Sequence, residues 1–173
     1  MAESYEMNPV SRITIGTLGE PGNRTFFLQG VQGLDSFAVV IEKEQALALA
    51  SAIDELLSDL EERFELPPPR PDRVSPRDLE MQLPVEGRFR AAQMGLGYDE
   101  SSGLIMLAVQ EMVPSEDEEP SVVRFWATRD QMAAMGNHAR LITQQGRPIC
   151  PLCGQPMDPE GHFCPRQNGH THE

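Results

Sequence analysis

Ser36-Phe37-Ala38-Val39-Val40-Ile41-Glu42-Lys43-Glu44-Gln45-Ala46-Leu47-Ala48-Leu49-Ala50 contains a change of hydrophobic period, and the fold turns on it. After Ser36 the next five residues are apolar and largely β-branched or aromatic, which predicts a well-buried strand over Ser36–Ile41. From Ala46 the apolar residues recur at three- and four-residue spacing: Ala46, Leu49, Ala50, Ile53, Leu56, Leu57 and Leu60, ending near Phe64. That spacing is one face of an amphipathic helix. Its other face carries Asp54, Glu55, Asp59, Glu61 and Glu62, which reads as a solvated surface.

Upstream, Arg12–Gly16 alternates like a strand and Arg24–Gln29 forms another. Glu20-Pro21-Gly22-Asn23 and Gln32-Gly33-Leu34-Asp35 supply turn chemistry between the strands. Connections this short predict antiparallel pairing, because parallel neighbours need a long crossover. Residues 1–10 are polar and are expected to fray. Downstream, Pro67, Pro68, Pro69, Pro71, Pro76 and Pro84 exclude regular helix or central strand over 65–87. An extended linker over the surface is expected there; a proline-recognition peptide is the other reading of the same composition.

The strand theme then returns. Phe89–Tyr98, Leu104–Val109 and Val122–Ala127 are strand candidates, separated by the turn Asp99–Gly103 and the acidic loop Glu116–Pro120. A helix is expected from about Arg129 to Gln145, with Met132, Met135, Gly136, Ala139 and Ile142 on one face. Gly146 and Pro148 stop it. Both halves therefore read strand, strand, strand, helix, and the strand-to-helix junctions align without gaps at an offset of 86. Ala50 falls on Gly136, two small residues where a helix can approach the sheet closely. Identity across the alignment is thin, and two generic units would look alike without common origin. The expected fold is α+β: two βββα units, about 11–64 and 88–146, forming one antiparallel sheet domain over residues 1–147, followed by a zinc-knuckle-like tail over 148–173.

Composition bounds the function. The chain has 173 residues, 39% of them apolar, enough for one core. The formal net charge is −13, which argues against nucleic acid as a partner, since a basic footprint is required there. No apolar run is long enough for a membrane span, and no secretory signal opens the chain, so a cytoplasmic location is expected. Thirteen of the 14 basic residues are Arg, and Lys43 is the only Lys.

The three Cys lie within the last 24 residues: Cys150, Cys153 and Cys164. An odd number of thiols in a reducing compartment points to metal rather than disulfides. Cys150-Pro151-Leu152-Cys153-Gly154 is a knuckle that sets two thiolates on one ion, and a structural zinc wants four N or S ligands. Cys164-Pro165-Arg166-Gln167 resembles a second knuckle whose last ligand has become Gln167. His162, two residues before Cys164, is preferred as the fourth ligand over His170, which with His172 sits in a polar terminus. The expected site is one structural Zn2+ on Cys150, Cys153, His162 and Cys164.

Gly16-Thr17-Leu18-Gly19-Glu20-Pro21-Gly22 with Arg24–Gln29, Glu42-Lys43-Glu44-Gln45, Phe89-Arg90, and the tail from Cys150 to Gly154 and from Gly161 to Gly169 together resemble the DUF3090 family of actinobacteria and chloroflexi. The resemblance covers nearly the whole chain and implies no particular activity. The family's tail motif continues with an aromatic residue where this chain has His170, which weakens His170 as a shared ligand.

No nucleophile triad, phosphate loop or His-Glu-x-x-His pattern is recognisable. The glycine-rich stretch Gly16–Gly22 leads into a strand rather than a helix and reads as a turn. His138 falls off the apolar helix face and reads as a solvated side chain. Glu20, Arg24, Glu42 and Lys43 either line a cleft or pair across a sheet surface. Nine Met suit adaptable core packing. Two functions follow: a non-catalytic binding or adaptor module for a protein partner or small ligand, or an enzyme whose site lies on the repeated sheet. A zinc with four protein ligands is closed to substrate, which supports the first.

Overall fold

The computed structural model describes residues 2–20, 22–144, 162–163 and 171–172. Among these the strands are β1 (Ser4–Met7), β2 (Arg12–Leu18), β3 (Thr25–Gln32), β4 (Asp35–Ile41), β5 (Gly87–Asp99), β6 (Leu104–Glu111), β7 (Val122–Ala127), β8 (His162–Phe163) and β9 (Thr171–His172). The helices are α1 (Lys43–Phe64) and α2 (Arg129–Gln144). The fold is mixed α+β: β1 to β7 form one sheet in the order β1-β7-β6-β5-β4-β3-β2, with two helices.

Within each half the strands pair antiparallel, as the short turns require. The sheet is not antiparallel throughout, however. β4 pairs parallel with β5, because the chain between them travels through α1 before returning. The second correction lies at the N-terminus. Residues expected to fray form β1, which pairs parallel with β7 from Ser4–Val122 to Met7–Phe125. Tyr5 and Met7 give this short segment apolar contacts with the core.

The first strand of each half divides its partners. Gly87 and Arg90 of β5 pair with Ala38 and Val40 of β4, and the stretch from Ala91 to Asp99 then pairs with β6. β1 and β2 repeat the arrangement, the first pairing with β7 and the second with β3. Between them Val10 N–H donates to Trp126 O at 2.8 Å and Ser11 N–H donates to Val31 O at 2.7 Å. This bend therefore lies between β7 and β3 and curls the sheet onto itself.

The curl creates an interior. Phe37 of β4 has its ring centroid 4.7 Å from Tyr5, 5.8 Å from Phe89 and 6.3 Å from Phe125. β1 and β4 are far apart in the sheet order and meet only across this interior. The edge-on and tilted ring geometries suit the aromatic quadrupole. A Cβ at Gly30 of β3 would lie 2.5 Å from a Phe125 ring carbon, so the ring occupies the space that glycine leaves.

The helices bury the faces expected of them, Ala46, Leu49, Ala50, Ile53, Leu57 and Leu60 on α1, and Met132, Met135, Gly136, Ala139 and Ile142 on α2. Leu56 is only partly buried. Ala50 and Gly136 do not face the sheet as expected. They face each other, and a Cβ on Gly136 would sit 3.8 Å from Ala50 Cα. Asp54 and Arg140 pair across the same seam, and Asp59 pairs with Arg63 along α1, so two members of the acidic face are partnered rather than only solvated. Gln45 Oε1 accepts from Glu42 N–H at 2.8 Å, and Gln131 Oε1 accepts from Thr128 N–H at 2.9 Å. Their amides reach onward, Gln45 Nε2 donating to Ala91 O at 3.1 Å and Gln131 Nε2 to Ser11 O at 3.2 Å. Each helix start is thereby tied to the first strand of the other half.

Residues 65–86 are extended as expected but form a fitted strap, with 3-10 turns at Pro71–Arg73 and Pro76–Leu79. Arg129 donates to Pro67 O at 2.7 Å and Arg70 N–H donates to Asp130 Oδ1 at 2.6 Å. The strap then crosses β2 and β3. Buried Thr14 donates its hydroxyl to Leu79 O at 2.6 Å. Buried Gln29 donates to Gln82 O at 2.9 Å and accepts from Gln82 N–H at 2.7 Å. Each polar side chain on this covered face thus meets strap backbone, which removes the penalty for burying it. No described helix is long and apolar enough to cross a membrane.

Candidate functional site

The cleft that the sequence allowed around Glu20, Arg24, Glu42 and Lys43 forms in part. A cavity of about 340 Å³ is lined by Arg24, Lys43 and Arg90, by the carboxylate residues Glu42 and Glu44, and by Thr25 and the apolar Phe26, Val40 and Ile41. Glu20 is not in the lining. Arg90 was not singled out beyond its place in the Phe89-Arg90 pair. It arrives because β5 pairs parallel with β4, a contact that local pattern does not reveal.

Each element has a reason to end here. β4 runs into α1 at Glu42, whose backbone is extended (φ −92°, ψ 158°) and whose N–H is satisfied by Gln45. Arg24 sits where the turn re-enters β3, beside Thr25, which pairs with Leu18. The cavity therefore opens at the N-terminus of a 22-residue helix, the positive end of its dipole. Glu42 accepts from Arg90, which neutralises the carboxylate nearest the cavity. Arg24 Nε is buried and has no hydrogen-bond partner among the described residues. A buried donor without an acceptor is costly, and an anion placed against it would satisfy it.

A larger cavity, about 610 Å³, lies at the other end of the curled sheet, beside Glu3, Tyr5, Arg88, Glu111, Glu118 and Ser121. Arg88 lies over the rings of Tyr5 and Phe37, its guanidinium carbon 5.1 and 4.9 Å from their centroids. The Tyr5 hydroxyl donates to Glu3 and accepts from Arg88 at 3.2 Å. The bond to Glu3 holds the phenol above its ordinary pKa, with Arg88 opposing. These groups already satisfy one another, so the first cavity is the better candidate.

His138 is half-buried on α2 rather than solvated, and burial lowers its pKa below the ordinary imidazole value. The expected metal ligands Cys150, Cys153 and Cys164 lie outside the described residues, as does His170. The backbone of His162 is described, and pairs with that of His172 in the β8–β9 ladder. Among the described residues no cluster of His, Cys, Asp and Glu could hold a metal.

A family model, described as "Protein of unknown function (DUF3090)", matches residues 5–164. No curated protein and no solved structure matches the chain. The match runs from β1 through the sheet, both helices and the strap to Cys164, and on that span the chain belongs to the DUF3090 family.

Proposed function

We propose that this chain is a non-catalytic binding module whose Arg24–Lys43–Arg90 cleft takes a small anionic ligand, and whose tail carries one structural zinc. The observation that carries the first part is the convergence of Arg24, Lys43 and Arg90, against the two carboxylates Glu42 and Glu44, at a helix N-terminus on a protein of net charge −13. A general field of negative charge repels anions, so a local positive pocket selects for them only at close range. Buried Arg24 Nε supplies a directional donor, and Lys43, the only Lys, supplies a point charge. A catalytic reading of the same cleft has less support. Its nearest carboxylate, Glu42, is held by Arg90, and Thr25 supplies the hydroxyl of the lining.

Titration calorimetry of the full chain with inorganic phosphate, sulfate and citrate tests the reading. Binding of at least one is expected, weakening as sodium chloride rises because the cleft is open to solvent. Lys43→Ala and Arg24→Ala should each lower affinity by about tenfold or more, a loss of roughly 1.4 kcal/mol. No binding by the parent chain, or equal binding by both variants, refutes it.

A further inference from the structure

The two halves of the sheet match row for row, yet among the described residues only one of them is covered. On the outer face, Gly16, Phe27 and Val40 form one cross-strand row, and Thr14, Gln29 and Ala38 form the next. Their counterparts are Gly97, Met106 and Trp126, and Gly95, Ala108 and Arg124. Val40 and Ala38 correspond to Trp126 and Arg124 at the junction offset of 86. The strap 65–86 lies over the first set: a Cβ at Gly16 would strike the Met81 side chain at 2.6 Å, and Thr14 and Gln29 bond to strap backbone. The glycines of the second set meet no such cover among the described residues. Among the described residues a Cβ at Gly95 would meet nothing within 4 Å, and one at Gly97 only Met106 of the neighbouring strand, at 3.5 Å.

The grooves beside the helices differ in the same way. Between α2 and β2 the strap leaves only about 200 Å³, lined in part by Arg73 and Val74 of the strap itself. Between α1 and β5 a groove of about 560 Å³ stays open, lined by Ala48, Ala52, Leu56, Met94 and Leu96. β2 is accordingly buried over Ile13–Gly16, whereas β5 is half-exposed over its matching residues.

We infer that residues 145–173 are the second strap, lying along the α1–β5 groove and over the outer face of β5, β6 and β7. The connectivity names the occupant. The first strap is the chain that leaves α1; it fills the groove between β2 and the other helix, α2, and covers the outer face of its own half. The tail is the chain that leaves α2; the groove left open among the described residues lies between β5 and the other helix, α1, and the face left open is again that of its own half. The first strap makes its crossing within residues 65–86, so the tail has ample length. It is also proline-rich, at Pro148, Pro151, Pro156, Pro159 and Pro165, and carries Ile149, Leu152, Met157 and Phe163 to set against a small-residue apolar surface. Arg70-Pro71, where the first strap bonds to Asp130 at the start of α2, has a counterpart in Arg147-Pro148, and Asp130 has one in exposed Glu44 at the start of α1. The inference rests on neither the anion cleft nor the zinc.

The test uses the full chain with a benzoylphenylalanine photo-cross-linker at Met106, and separately at Ala108, both outward-facing and half-buried. Peptide mapping should find intrachain cross-links into residues 145–173. Cross-links to a second copy of the chain, or none to the tail from either position, overturn the inference. Gly95→Glu puts a charge into open space and leaves the sheet intact by circular dichroism; it should lose the tail cross-link and raise acrylamide quenching of Trp126, the single Trp. An undiminished cross-link in that variant overturns the inference as well.

Discussion

Phe125→Ala is expected to lower the unfolding free energy by about 3–5 kcal/mol, the usual range for emptying a buried aromatic site. Phe125 is fully buried, packs edge-on against Phe37, and fills the space that Gly30 leaves on β3. Removing the ring therefore costs transfer energy, contacts on two sides and the aromatic pairing together. A domain of ordinary stability has about 5–15 kcal/mol in total, so the variant should be marginal at 37 °C. Urea denaturation checks this: the midpoint should fall while the slope stays near that of the parent. Phe64→Ala is the control. That ring is half-exposed at the end of α1 against Tyr98, and its removal should cost clearly less. Equal losses in the two variants would mean that the curled interior is not the centre of stability.

The second large effect concerns the tail. Elemental analysis of tag-free protein purified without chelator should give one zinc per chain. Cys153→Ser and His162→Ala should lose it. Metal-free parent protein refutes the site, and full zinc in His162→Ala with loss in His170→Ala moves the fourth ligand to His170. Zinc on such a ligand set contributes on the order of ten kcal/mol at neutral pH, enough to order a segment with few large apolar residues. The pH dependence has a fixed sign. Thiolate and neutral imidazole bind metal and their protonated forms do not, so zinc is retained at neutral pH and released as the pH falls. The sheet domain should stay folded through that release, because its core lies between Met7 and Ile142.

The elements of this fold were legible because each has its own period. The switch at Ile41–Ala46 marks β4 and α1, and its echo at Ala127–Met132 marks β7 and α2. Pairing between distant strands has no period, and there the sequence was silent. β1 is too short and too polar to announce itself, and pairs only because β7 offers an edge. The parallel β4–β5 ladder follows from a crossover whose landing place no local pattern encodes. The same reason applies to the cleft: Arg24, Glu42 and Lys43 were nameable as cross-strand neighbours, while Arg90 needed that ladder. Ala50 and Gly136 were recognisable as a site of close approach, but small size does not say which surface approaches.

The division of β5 and of the β1–β2 bend between two partners has a mechanical consequence. Each half lends the front of its first strand to the last strand of the other, and each helix start is fastened across the same boundary by Gln45 or Gln131. A single proteolytic nick within residues 65–86 would sever the polypeptide without separating the fold. The two fragments would remain hooked through both parallel ladders and would travel through a sizing column as one particle.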